Sequence, residues 1–122
     1  MVSQYRIAVD QVMFEIPAGL VDANETPIEA ARRELQEEVG FYPEKCDFLF
    51  SMHSSPGFTN DKLLFFVGKD LKESKLELDE DEDLEAQSYP IDELYNKVLN
   101  GEITDAKTII AIQYAMMNKN NK

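Results

Sequence analysis

Arg33, Glu34, Glu37 and Glu38 are the residues whose types and spacing invite chemistry. At about 100° per residue, a helix sets the three glutamates at about 0°, −60° and +40° around its axis, on one face. Ile28, Ala31, Leu35 and Val39 fall between about 60° and 140° and are the expected buried stripe. The carboxylates therefore neighbour one another beside the core. Like charges at these spacings repel by about a few tenths of a kcal/mol per pair in water, and by more where burial lowers the dielectric. Arg33 lies one turn before Glu37 and can offset it. Two carboxylates remain, and a divalent cation would compensate them; oxygen ligands of this kind suit Mg²⁺ or Mn²⁺. The ordinary alternative for a Glu-rich helix is a solvated acidic face.

The elements that must hold these residues are readable around them. Thr26-Pro27-Ile28-Glu29 combines a capping-box Thr and Glu with Pro at the first helical position, and Gly40 is a natural residue just past the end. The helix is expected over Pro27–Val39. Val12–Ile16 reads as a short strand closed by Pro17-Ala18-Gly19. Asp47–His53 and Lys62–Gly68 are apolar enough for central strands, joined by a loop containing Pro56-Gly57. Leu84–Tyr89 is a further candidate strand. Ile91, Leu94, Tyr95 and Val98 have helical spacing, Asn100-Gly101 ends that helix, and Asp105 can cap a last helix through about Met117. Strands interleaved with helices indicate an α/β or α+β layer architecture.

The chain has 122 residues, 43% of them apolar, which suits one domain over residues 1–122 with a single core. No apolar run approaches the roughly 20 residues of a membrane span, and the first residues lack the apolar region of a signal peptide. The only cysteine, Cys46, can form no internal disulfide, so a reducing cytoplasm is the expected compartment and a packed thiol its expected state. His53 reads as a strand-end residue, with no nucleophile paired to it. Twelve Lys plus Arg against 24 Asp plus Glu give a net charge of −12, which disfavours binding to nucleic acid or to an anionic membrane. That charge is clustered. Six acids and two arginines lie between Gly19 and Phe41, and nine acids and two lysines lie between Asp70 and Glu85. The second cluster includes the unbroken run Asp79, Glu80, Asp81, Glu82, Asp83.

The wider pattern decides between the solvated face and the metal site. Gly19, Glu25 and Arg33-Glu34-Leu35-Gln36-Glu37-Glu38-Val39-Gly40-Phe41 match the Nudix box, Gx5Ex7REUxEExGU, at all nine specified positions. The sequence thus resembles the Nudix hydrolases, which cleave nucleoside diphosphates linked to another moiety. The resemblance implies an α/β/α sandwich with a mixed sheet. It also implies a loop–helix–loop in which Glu34 and Glu38 ligate metal, Arg33 and Glu37 orient them, and the Ala18 carbonyl contributes a backbone oxygen. Glu37 is a possible further ligand.

Flanking residues narrow the resemblance. Phe14-Glu15-Ile16-Pro17-Ala18-Gly19 and Ser55-Pro56-Gly57-Phe58 are similar to segments of the ADP-ribose pyrophosphatases. Gln4-Tyr5-Arg6 looks like their Q-Y-R strand, whose arginine reaches substrate phosphate. The acidic run looks like their catalytic loop. Glu80 then matches the general base and Glu82 an additional metal ligand, the choice of base between them staying open. Pro56, Gly57 and Phe58 match substrate contacts. The implied activity is Mg²⁺-dependent hydrolysis of ADP-ribose, or of a related nucleoside diphosphate sugar, to AMP and a sugar phosphate. The box begins early, and the usual strands before the Q-Y-R segment are absent, as in an N-terminally truncated form. A sheet edge left uncovered in that way invites pairing with a second copy as a homodimer. The alternative function is a Nudix-like domain that binds nucleotide or a protein partner without turnover.

Overall fold

A computed structural model describes residues 1–74 and 85–119. Glu80 and Glu82 lie outside these described residues. Within them the order is β1 (Val2–Arg6), β2 (Gln11–Glu15), α1 (Pro27–Val39), β3 (Phe41–His53), β4 (Lys62–Glu73), β5 (Glu85–Ala86), α2 (Ile91–Leu99) and α3 (Ala106–Met117). The strand pairings among them, β2–β1, β1–β5 and β3–β4, are all antiparallel, and the implied mixed sheet is not among these pairs. Among the described residues no helix is long and apolar enough to cross a membrane. The contacts divide the chain into two compact units, residues 18–74 and residues 1–17 with 85–119.

In the unit formed by residues 18–74, α1 lies on a long hairpin. The sequence signals for α1 are met atom by atom. The Glu29 amide donates to Thr26 Oγ1 (3.3 Å) and the Thr26 amide to Glu29 Oε1 (3.4 Å), a reciprocal cap worth about 1 kcal/mol. Gly40 ends the helix at φ 75°, in the left-handed region that glycine enters without a Cβ penalty. No basic side chain stands in the last turn. β3 and β4 pair from Phe41↔Glu73 to His53↔Lys62, with an irregularity between Phe48 and Phe50. The helix docks where the hairpin has no side chain. A methyl at Gly68 would lie 2.9 Å from Pro43 Cβ and 3.5 Å from Leu35 Cδ2, so Leu35 rides over that gap. Gln36 Nε2 donates to Ser74 Oγ (2.8 Å), and the Ser74 amide donates to the Gly40 carbonyl (2.9 Å), tying the end of β4 to the end of α1.

The expected stripe needs correction. Ile28, Ala31, Leu35 and Val39 are only partly buried; the buried residues of α1 are Ala30 (3% exposed) and Glu38 (9%). Ala30, Glu34 and Glu38 form one i, i+4, i+8 row, so the helix turns its carboxylate row inward. The geometry is that of a helix serving a polar site as well as a core.

In the other unit, β1 is central, with Val2↔Glu15 through Arg6↔Gln11 on one side and Val2↔Ala86 on the other. α2 and α3 enclose a small core of Leu94, Ile103 and Ile112, with Phe14 and Tyr89 packed against it edge-to-face at 5.2 Å. Asp105 caps α3 by accepting from the Thr108 amide (3.3 Å), and Thr108 Oγ1 accepts from the Ile16 amide (3.0 Å), which joins the end of β2 to α3.

The sequence over-read β5, expected over Leu84–Tyr89, and under-read β3 and β4. β3 begins six residues before the expected Asp47 and β4 ends five after the expected Gly68. The added stretches carry exposed Lys45, Lys69, Asp70 and Lys72, which mask the strand pattern.

Candidate functional site

Arg33 is the centre of the site on α1. Its Nη1 donates to Glu34 Oε1 (2.8 Å) and to Glu37 Oε2 (3.1 Å). Its Nε and Nη2 donate to the two oxygens of Glu25 (3.1 and 2.7 Å), and Nη2 also reaches the Leu20 carbonyl (2.9 Å). Asp22 stands 3.5 Å from Nε. This is more than the single Arg33–Glu37 pair the spacing suggests: one guanidinium holds three glutamates and the loop before the helix. Glu38 is not among those partners, and it is the most buried of the box carboxylates. The carboxylates, Glu25 above all, keep the guanidinium well above its ordinary pKa against the opposing effect of burial. Arg33 in turn holds Glu25 well ionised, helped by the Asp22 amide, which donates to Glu25 Oε1 (2.8 Å).

Gly19 closes the other side. A Cβ there would fall 2.0 to 2.3 Å from the Glu34 carboxylate, so the carboxylate occupies the space that glycine leaves open. The backbone oxygen implied as a ligand belongs to the neighbouring Ala18, which is exposed. The donors gathered here are carboxylate and carbonyl oxygens, the set preferred by a hard divalent cation. Among the described residues no group of three or more His, Cys, Asp or Glu forms a metal cage. Two carboxylates are nevertheless a normal protein share for Mg²⁺, which keeps waters and takes phosphate oxygens. The residues therefore fit such an ion.

Arg6 lies elsewhere, at the end of β1. Its Nε and Nη2 donate to the two oxygens of Glu15 (2.8 and 2.9 Å), while about half of its side chain, 46%, stays exposed. Pro56, Gly57 and Phe58 form a turn between β3 and β4, where the Phe58 amide donates to the Ser55 carbonyl (3.1 Å) and Phe58 as a whole is 88% exposed. They take no part in the Arg33 network. Cys46 is buried, and burial raises its thiol pKa, so it behaves as a packed group.

Sequence reasoning gave no role to Glu25, to the Leu20 carbonyl, to Glu15 or to Lys107. Glu25 carried a signal, since it precedes the helix cap and occupies a fixed box position. Lys107 donates to Glu15 from 92 residues away, which no local spacing reveals.

A capped helix presenting carboxylates, two of them held by Arg33, to a glycine loop defines the class of site that the box encodes. The NUDIX domain family matches residues 1–111, and the chain belongs to that family. It is 38% identical over 121 residues to the methanol dehydrogenase activator of Bacillus methanolicus and 36% identical over 121 residues to the ADP-ribose pyrophosphatase of Bacillus subtilis, in each case over 98% of this chain. It is 35% identical over 112 residues to the GDP-mannose pyrophosphatase of Yersinia enterocolitica, covering 89% of this chain and 58% of that protein. The crystal structure of an ADP compounds hydrolase superposes with a TM-score of 0.86 at 28% identity, over 98% of this chain and 65% of that one. The chain spans 65% of the length of each Bacillus relative. The expected α/β Nudix-type fold is thereby borne out.

Proposed function

We propose that this chain hydrolyses the diphosphate linkage of ADP-ribose or a related nucleoside diphosphate sugar, releasing AMP and a sugar phosphate. The observation that carries the reading is the Arg33 network: one arginine holds Glu34 and Glu37 in place while Glu34 rests against Gly19. The names of the relatives, ADP-ribose and GDP-mannose pyrophosphatases, supply the substrate class.

Glu34 and Glu38 would hold a divalent cation, Mg²⁺ or Mn²⁺, with the Ala18 carbonyl and Glu82 adding oxygens. Such a cation neutralises diphosphate oxygens and lowers the pKa of water. Arg33 keeps Glu34 and Glu37 from swinging apart, with Glu25 fixing the guanidinium from the far side. Glu80 accepts the proton of the attacking water as a P–O bond of the diphosphate breaks. Arg6, Pro56, Gly57 and Phe58 serve the substrate. The chain acts as one domain over residues 1–122, in the cytoplasm, alone or as a homodimer.

The test is incubation with ADP-ribose and with GDP-mannose, in Mg²⁺ or in excess EDTA, with products separated by chromatography. AMP from ADP-ribose in Mg²⁺ alone is expected; release that survives EDTA removes the metal from the reading. Glu80→Gln should lower kcat while sparing Mg²⁺ affinity, and the same result from Glu82→Gln instead moves the base to Glu82. A second reading, binding of a nucleotide or protein without turnover, is favoured by the relative named as an activator. Thermal stabilisation by ADP-ribose without any product would select it.

A further inference from the structure

Gln36 stands at a position that the Nudix box leaves open, between Leu35 and Glu37. It is nevertheless bonded through both its backbone and its side chain. Its carbonyl accepts from the Gly40 amide (3.0 Å), the bond that closes the last turn of α1. The Gly40 carbonyl accepts from the Ser74 amide (2.9 Å), and Ser74 Oγ accepts from Gln36 Nε2 (2.8 Å). Three residues and three hydrogen bonds thus make a closed ring, although Ser74 is 38 residues from Gln36 in the chain. The ring lies wholly within the unit of residues 18–74 and takes in the turn that carries Glu37 and Glu38.

That turn needs a brace of this kind. Glu34 lies three and four residues before its two carboxylates, and like charges at that spacing repel. Arg33 reaches the Glu37 carboxylate (3.1 Å), which orients a side chain without fixing the backbone at the helix end. A lysine or arginine in the last turn would hold it too, and none is there. Such a residue would also cancel the negative charge that attracts a cation. An amide, a hydroxyl and a glycine hold the turn and leave that charge intact. Geometry matters because Mg²⁺ demands near-ideal octahedral coordination, so a displaced carboxylate loses affinity.

We propose that Gln36 and Ser74 are positioning residues: through Gly40 they lock the last turn of α1 so that Glu38 meets a divalent cation in the right place. This rests on the preceding reading that Glu34 and Glu38 hold such an ion. It assigns the pair to metal affinity, although neither side chain touches the ion.

The test is titration of the full chain with Mn²⁺, binding being read from loss of the free-ion electron paramagnetic resonance signal, beside thermal melting without metal. Gln36→Met keeps the side chain's length and removes the donor; Ser74→Ala removes the acceptor. Each should weaken Mn²⁺ binding about fivefold, the scale of one lost hydrogen bond, and the double variant by no more than either alone. Ser74→Thr keeps a hydroxyl and should bind as the unaltered chain does. Thr26→Ala removes the cap at the other end of α1 and should lower the melting temperature with Mn²⁺ affinity unchanged. Should Ser74→Ala fail to fold, Gln36→Met against Ser74→Thr carries the same comparison. Unchanged affinity in a folded Gln36→Met, effects that multiply in the double variant, or an equal loss from Ser74→Thr or Thr26→Ala overturns the assignment while the unaltered chain still binds Mn²⁺. An unaltered chain that binds no Mn²⁺ overturns the metal reading and this inference together.

Discussion

The two ionic centres of this chain are built with opposite stoichiometry. Around Glu15, one carboxylate is served by two cations, Arg6 and Lys107. Around Arg33, one guanidinium is shared by Glu25, Glu34 and Glu37, with Asp22 close by. The first centre joins strand ends to a helix and is nearly neutral once Asp105 is included. The second gathers three glutamates and Asp22 about a single arginine. A charge-balanced centre can be complete as it stands, whereas an acid-rich one is poised to take up a positive ion. The overall charge of −12 conceals this difference between regions.

That contrast can be broken most forcefully at the acidic centre. Glu38→Gln is expected to lower kcat by at least about a hundredfold with the fold retained, because a ligand to the proposed charge-neutralising cation would contribute several kcal/mol at the transition state. Steady-state kinetics beside circular dichroism checks it, and near-normal turnover removes Glu38 from the site. Next in size, Gly19→Ala should cost about tenfold or more in kcat, because the new methyl overlaps the Glu34 carboxylate at 2.0 Å and must push it aside. Its melting temperature should move little, since Glu34 is the far end of a flexible side chain and Gly19 is exposed.

A thermal-shift series sharpens the comparison further. Mg²⁺ should raise the melting temperature of the unaltered chain, and should raise that of Arg33→Met by more, because the variant lacks the internal cation. Lys107→Met should show the same Mg²⁺ increment as the unaltered chain. Equal increments in all three would erase the distinction between the centres. The smallest effect is in pH. Glu15 is held below the usual carboxylate range, first by the Arg6 hydrogen bonds and then by Lys107, against the opposing effect of burial; Glu25 is held low chiefly by Arg33. A depressed carboxyl contributes stability above its unfolded pKa, about 4.3, and loses it as pH falls through the lower native value. Melting temperature should therefore drop as pH is lowered below about 4.3. Arg6→Met should flatten that drop more than Lys107→Met does.

What the sequence shows depends on how local the cause is. The bounds of α1 follow from Thr26, Pro27 and Gly40, which act within one turn, and the helix runs over the expected Pro27–Val39. The clustering of Glu34, Glu37 and Glu38 is equally a matter of helical angle. The inward turn of the carboxylate row was not legible, because an apolar stripe of Ile28, Leu35 and Val39 is the usual sign of a core face and only the loop at Gly19 shows what Glu34 packs against. The bond from Arg33 to Glu25 needs that loop to fold back over the helix start. The bond from Lys107 to Glu15 needs α3 docked beside β2, and is set wholly by tertiary packing. Strand lengths failed for a different reason: a two-stranded hairpin carries exposed lysines and aspartates that a central strand would not.

The last turn of α1 has one more consequence. Glu37 and Glu38 stand beside the Gly40 cap with no basic residue in that turn, so two negative charges sit at the end of the helix where the backbone dipole is also negative. This pole should be the part of the helix most ready to fray. Amide hydrogens near the cap should then exchange faster than those behind the Thr26 box, and should slow when a divalent cation arrives. The helix end would thus report ion occupancy through its own backbone, residue by residue, without any substrate present.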